Sequence, residues 1–167
     1  MSFSIIIPMY NESSLCEKTA QELLSAFSDA FPKEPFELIF SDDGSTDDSA
    51  EKIARLAAGD ARVRLVRAPR NMGKGAAVRR GMLAATGDDM LFTDCDLAYG
   101  TAQPVALLRF HRKSGAAVTV GSRAKHKNGY AGYGALRRLF SRAFLLLCRM
   151  LSGLRQSDVQ TGLKCFR

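Results

Sequence analysis

Two aspartates two residues apart, Asp94 and Asp96, are the residues of this chain best suited to chemistry. They follow a short apolar run, and at a strand end alternate residues point to the same side. Hard carboxylate oxygens placed in this way suit Mg²⁺ or Mn²⁺, which share their remaining positions with water and substrate phosphates. A divalent cation there would neutralise charge on a diphosphate leaving group. Cys95 between them reads as a small packed residue rather than a ligand, because a thiolate favours a softer metal. The two common phosphate cradles are missing. The turn at 8–13, PMYNES, has no G-x-G-x-x-G, and Gly73-Lys74-Gly75 lacks both the earlier glycine and the following hydroxyl of a P-loop. Acidic strand ends in place of glycine loops imply that a metal screens the phosphates.

The elements that must position these acids alternate regularly. Residues 3–8 form an apolar β-branched run stopped by Pro8, and 36–41, 63–66, 89–93 and 116–120 repeat the strand signal. Between them, 12–30, 47–58, 75–86 and 103–114 read as helices. Ser45 or Thr46 is placed to cap the second and Gly87 to close the third. A long helix is expected over 134–152 and a further strand over 162–166. Strand alternating with helix predicts an α/β domain with a mostly parallel sheet, in which ligands sit at the carboxyl ends of the strands. The residues just past those ends are polar: Tyr10-Asn11-Glu12, Asp42-Asp43-Gly44-Ser45, Asp94-Cys95-Asp96 and Gly121-Ser122-Arg123.

The 167 residues carry 46% apolar and 25% charged residues, an ordinary soluble composition that excludes a disordered tail, a fibre or a coiled coil. No run of 18 apolar residues and no basic-then-apolar leader occurs. The four cysteines form no CxxC pair, so reduced thiols in a cytoplasmic compartment are expected. The net charge of +7 is divided sharply: residues 1–60 hold 4 Lys/Arg against 12 Asp/Glu, and residues 61–167 hold 20 against 5. Such asymmetry suits an anionic partner met by the second half, or simply a solvated basic face. With no Trp and few aromatics among the bases, nucleic acid is not expected.

Four motifs in order, Ser4 to Glu12, Ser41 to Asp47, Asn71 to Gly75 and Asp94 to Asp96, resemble those of family 2 glycosyltransferases. Further on, Gly121-Ser122-Arg123, Arg137 with Ser141, and Asp158 to Arg167 resemble dolichyl- or polyprenyl-phosphate mannosyl- and glucosyltransferases. The resemblance implies a GT-A fold, a three-layer sandwich on a mostly parallel central sheet. It also implies a single catalytic domain over 1–167, stopping short of the C-terminal part that family members usually carry. It assigns Pro8, Tyr10, Glu12, Ser41, Asp43, Lys74, Asp94, Cys95, Asp96 and Arg123 to the nucleotide-sugar, Asp94 and Asp96 to the metal, and Arg137 and Ser141 to the acceptor phosphate. Asp94, Asp96 and Arg123 would be the catalytic set. Asp43 matches the base-reading aspartate, although Asp42 could equally take that role, since two adjacent side chains cannot both face a ligand. Arg79 and Arg80 read as surface charges.

The implied reaction moves a hexose from a nucleotide-diphosphate sugar to a polyprenyl phosphate with inversion. The alternative is transfer to a sugar hydroxyl in polysaccharide or glycolipid synthesis. A phosphate monoester is largely ionised at neutral pH, with a second pKa of about 6, and needs no strong base. Only one carboxylate side chain, Asp158, follows Asp96. The glycine-containing basic loop from Arg123 to Gly134 reads as a lid over phosphates. Arg138, Arg142 and Arg149 share one face of the long helix, which fits either peripheral contact with an anionic membrane at its cytoplasmic face or a core-packed helix with a wet side.

Overall fold

The computed structural model describes residues 1–121, 140, 150 and 161–167. The chain divides into two compact units, Met1–Thr119 together with Leu163–Arg167, and Val120–Gly162. Strands and helices alternate as β1 (Phe3–Met9), α1 (Cys16–Ala30), β2 (Phe36–Asp42), α2 (Ser49–Gly59), β3 (Val63–Arg67), α3 (Lys74–Ala84), β4 (Asp89–Thr93), α4 (Ala102–Ser114), β5 (Val118–Val120) and β6 (Leu163–Phe166). The sheet order is β3-β2-β1-β4-β6-β5. β1 pairs in parallel with β2 and β4, and β2 with β3, whereas β6 runs antiparallel to β4. This is the mostly parallel α/β sheet that the alternation predicts. Of the helix expected over 134–152, only Phe140 and Met150 are described, and both are helical.

The central strand is apolar on both faces because helices cover both. Ile5 and Ile7 enter one core with Cys16, Leu23 and Phe27 of α1, while Ile6 packs on Gly81 of α3. At the amino end of β1, Phe3 stacks on Phe36 at 5.3 Å and meets Phe27 and Phe31 at 5.5 and 5.2 Å. Burying a phenylalanine fully contributes about 1.5–3 kcal/mol, so Phe3 and Phe27, both fully buried, anchor α1 to the sheet.

Pro8 does not stop β1. The strand continues to Met9, with Pro8 in register with Ser41. The Met9 carbonyl accepts the Asp43 N–H on the β2 side, so by alternation the Pro8 nitrogen faces β4, where pairing ends at Ile6 and Phe92. A proline is tolerated where no ladder donor is required.

The helix starts also differ from expectation. α1 begins at Cys16 and α2 at Ser49, because the residues before them bind each other across the two loops. The Asn11 N–H donates to Ser45 Oγ at 2.9 Å, the Glu12 N–H to Ser49 Oγ at 2.8 Å, and the Thr46 N–H to Asn11 Oδ1 at 2.9 Å. Ser45 therefore caps no helix. Its hydroxyl is buried between the first loop and Asp42. Gly87 closes no helix either, since α3 ends at Ala84. A Cβ at Gly87 would lie 2.5 Å from the Phe3 backbone, so glycine is required there for close passage beside β1.

Asp89 opens β4 and is fully buried. Arg112 of α4 donates Nε to its Oδ2 at 2.7 Å, Arg167 Nε lies 3.6 Å from Oδ1, and the buried His111 Nε2 lies 3.7 Å from the same oxygen. Arg112 also binds Glu34 at 2.6 Å. This polar knot fastens α4 and the residue after β6 to one end of β4. The other end of β4 carries the acids.

Candidate active site

The carboxyl ends of β1, β2 and β4 open on a cleft of about 300 Å³. Pro8, Tyr10, Glu12, Asp43, Lys74, Asp94, Cys95 and Asp96 line it, eight of the ten residues assigned to the nucleotide-sugar. Ser41 is a correction: it is fully buried, and its hydroxyl donates to the Ala77 carbonyl at 2.7 Å, tying α3 to β2 behind the cleft. Arg123, Arg137, Ser141 and Asp158, with Arg138, Arg142, Arg149 and all of the 123–134 loop, lie outside the described residues. Met9, Asn71, Gly73 and Ala77 also line the cleft and were not singled out as ligands. Asn71 and Gly73 were visible as part of a motif. Met9 and Ala77 carry no sequence signal for such a role.

The structure separates Asp42 from Asp43. Asp42 is fully buried and turned inward, accepting from the Ser45 N–H at 3.1 Å and from the Ser45 hydroxyl, with Arg67 Nε at 3.1 Å. Asp43 lines the cleft. Its Oδ2 accepts from the Met72 and Gly73 N–H groups at 3.0 and 2.6 Å, and its buried Oδ1 has no hydrogen-bond partner among the described residues. The turn that reverses the chain after it needs Gly44: φ is +77°, and a Cβ would meet the Arg70 backbone at 2.6 Å. Asp43, Gly44 and the 70–73 segment are thus one interlocked piece. Arg80, expected on the surface, is only partly exposed and faces this piece: Nη1 donates to the Asp42 carbonyl at 3.3 Å.

At the end of β4, Thr19 Oγ1 of α1 donates to the Cys95 carbonyl at 2.6 Å and fixes the turn between the two acids. Cys95 is 3% exposed, and burial first, then the Glu12 charge, pushes its thiol up to about 12. It stays a protonated packing group, as the preference of hard cations for oxygen implied. Asp96 is exposed and accepts the Ala98 N–H at 3.1 Å. The chain then passes through Leu97 at φ +45°, an unfavourable conformation for a bulky side chain that sits directly beside the acidic pair. Lys74, at the start of α3, places Nζ 2.6 Å from Asp94 Oδ1.

The floor of the cleft is electronegative. Burial, and then the charges of Asp96, Asp47 and Asp94, raise the Glu12 carboxyl above its ordinary range, with Lys74 opposing. A divalent cation would relieve that mutual repulsion, so the donor set fits one. Among the described residues no group of three or more His, Cys, Asp or Glu surrounds a single metal position. Asp94 and Asp96 are the residues that would hold such a cation, with ligand oxygens and water supplying its other contacts.

A crevice at the carboxyl ends of a three-layer α/β sheet, with an acidic pair beside a carboxylate at the neighbouring strand end, defines a GT-A nucleotide-sugar transferase fold. Residues 4–164 match the model of glycosyl transferase family 2, and the chain belongs to that family. Glycosyltransferase AglD of Haloferax volcanii is 31% identical over 163 residues, which are 98% of this chain and 26% of that protein. The dolichyl-phosphate beta-glucosyltransferase ALG5C of Trichomonas vaginalis is 31% identical over 172 residues, covering 98% of this chain and 51% of its own. The chain thus spans about half or less of the length of these relatives. Among solved structures, glucosyl-3-phosphoglycerate synthase of Mycobacterium tuberculosis, in complex with phosphoglyceric acid, superposes with a TM-score of 0.68 at 25% identity, over 99% of this chain and 56% of that one. The same enzyme holding Mn²⁺, UDP-glucose and glycerol 3-phosphate gives 0.62 at 23% identity, with coverage of 99% and 56%. No helix among the described residues is long and apolar enough to cross a membrane.

Proposed function

We propose that residues 1–167 act as one catalytic domain that takes a hexose from a nucleotide-diphosphate sugar and transfers it, with inversion, to a polyprenyl phosphate. The observation that carries the donor half is the single cleft that Asp43 and the Asp94–Asp96 pair line together. The Asp43 carboxylate accepts an N–H of the base, Tyr10 offers a ring face, and Glu12 takes a ribose hydroxyl. Asp94 and Asp96 would hold the cation, and Mn²⁺ is the ion in the UDP-glucose complex of the structural relative. When bound, such an ion neutralises charge on the departing diphosphate. Lys74 and Arg123 bring positive charge to the same diphosphate.

The acceptor half draws on the dolichyl-phosphate enzymes among the relatives. A phosphate oxygen attacks the anomeric carbon as the bond to the nucleoside diphosphate breaks. An already ionised phosphate needs no general base. Arg137 and Ser141 are assigned to that phosphate. The basic balance after residue 122, ten Lys/Arg against one acid, suits a peripheral position at the cytoplasmic face of an anionic membrane.

The test is transfer of labelled glucose from UDP-glucose, or mannose from GDP-mannose, to polyprenyl phosphate in anionic liposomes with Mn²⁺, using the full-length protein. Asp96→Asn should abolish transfer and metal-dependent donor binding. Arg137→Ala should weaken acceptor dependence about tenfold to a hundredfold, the value of a hydrogen bond to a charged group. Transfer to a sugar hydroxyl with no use of the lipid phosphate would replace this acceptor with the hydroxyl alternative.

A further inference from the structure

Two buried aspartates adjacent in sequence each have their own arginine. Arg67 of β3 lies 3.1 Å from Asp42, so Asp42 does not need Arg80 for charge balance. Arg80 of α3 instead places Nη2 3.6 Å from Asp43 Oδ1, while its Nη1 is braced on the Asp42 carbonyl at 3.3 Å. The Asp43 side chain is 3% exposed and that of Arg80 is 22% exposed. The other Asp43 oxygen is already held by two backbone N–H groups. A separation of 3.6 Å is too long for a hydrogen bond. The guanidinium therefore supplies charge to Oδ1 without occupying its lone pairs, and an ion pair this sheltered is weakly screened. Asp43 lines the cleft and Arg80 does not.

From this geometry we propose that Arg80 is a positioning residue for base recognition. It holds the Asp43 carboxylate in its orientation at the cleft, so that this group meets the ligand as an acceptor, and it thereby sets the discrimination between bases. The inference rests on the cleft being the nucleotide site. It predicts a split between the two halves of the ligand: loss of Arg80 damages reading of the base and spares the diphosphate end, which Lys74, Asp94 and Asp96 serve.

The experiment measures dissociation constants of the full-length protein and of Arg80→Met and Arg80→Lys for UDP, GDP, CDP and ADP with Mn²⁺, and for pyrophosphate with Mn²⁺. The wild type should prefer one base by about tenfold or more, since a site built to pair a polar edge rejects a mismatched one. Arg80→Met should weaken the preferred nucleotide about tenfold and level the four, with pyrophosphate unchanged. Arg80→Lys, which restores charge at the same place, should recover most of the preference. A full wild-type preference in Arg80→Met, or a parallel loss of pyrophosphate, would overturn the positioning role. If Arg80→Met fails to fold, equal binding of all four nucleotides by the wild type, or no recovery of preference in a folded Arg80→Lys, overturns it instead. Binding of none of the four by the wild type would remove the nucleotide reading of the cleft itself, a separate outcome.

Discussion

Lys74 Nζ lies 2.6 Å from Asp94 Oδ1, so the cation of one motif rests on the carboxylate of another. The lysine side chain is 60% exposed, which makes the pair easy to exchange. On the proposed reading, a divalent cation held by Asp94 would compete with Lys74 for the same oxygen, and a bound diphosphate would give the lysine somewhere else to go.

Lys74→Met should therefore bind Mn²⁺ alone more tightly than the wild type. The gain should be at most about fivefold, the value of an exposed ion pair. The same variant should bind UDP or GDP with Mn²⁺ more weakly. Titration of Mn²⁺ with and without nucleotide separates the two effects, and weaker Mn²⁺ binding in both conditions would refute the competition.

Asp42 and Asp43 should respond differently to substitution. Asp42→Ala leaves the buried Ser45 groups unpaired, and an unsatisfied buried donor costs about 1–3 kcal/mol. A loss of about 2 kcal/mol corresponds to a fall in melting temperature of about 4–8 °C for a domain of this size. Asp43→Asn should keep an oxygen for the Met72 and Gly73 N–H groups, melt near the wild type and lose nucleotide affinity. Thermal denaturation paired with nucleotide titration decides whether structure and recognition divide in this way.

Gly87→Ala places a methyl against the Phe3 backbone, which cannot rotate out of the way as a side chain could. Overpacking of this kind costs about 1–3 kcal/mol. The melting temperature should fall while nucleotide affinity, measured well below it, stays at the wild-type value, because Gly87 and the cleft are at opposite ends of β4. An unchanged melting temperature would show that the backbone there gives way freely.

His111 links stability to pH. Burial lowers its pKa below the ordinary value, with Asp89 opposing and Arg167 and Arg112 assisting. A group depressed in the folded state favours folding above its unfolded pKa of about 6.5, and that contribution is lost as pH falls through the folded value. The melting temperature should therefore drop on acidification from pH 7 to pH 5, and His111→Gln should flatten that slope. An equal slope in the variant would assign the acid sensitivity to the carboxylates.

The strands and most of the cleft were legible because local rules govern them. β-branched runs mark buried strands, and the polar residues directly after Met9, Asp42 and Thr93 had to stand at their carboxyl ends. What escaped depends on partners distant in sequence. The choice between Asp42 and Asp43 rests on Arg67 and Arg80, brought from β3 and α3. Arg80 looked like surface charge because a helical arginine shows nothing of what it faces. Ser45 resembled a helix cap, yet its hydroxyl serves Asp42 and the loop after β1. Ser41 sits inside a ligand motif and is spent on α3. Gly87 had the position of a helix terminator, and only the path of β1 shows its steric role.

The place of β6 between β4 and β5 bears on how the chain folds as it is made. β1 to β4 can pair once residue 93 has emerged, but the outer edge of β4 waits for residues 163–166, about 70 residues later. At about 5–20 residues per second that interval is about 4–14 seconds. Throughout it the nascent sheet presents a row of unpaired backbone donors and acceptors open to any passing strand, and Asp89 waits for the charge of Arg167. The half-built sheet then has two open edges, that of β3 and that of β4, and residues 163–166 close only the second.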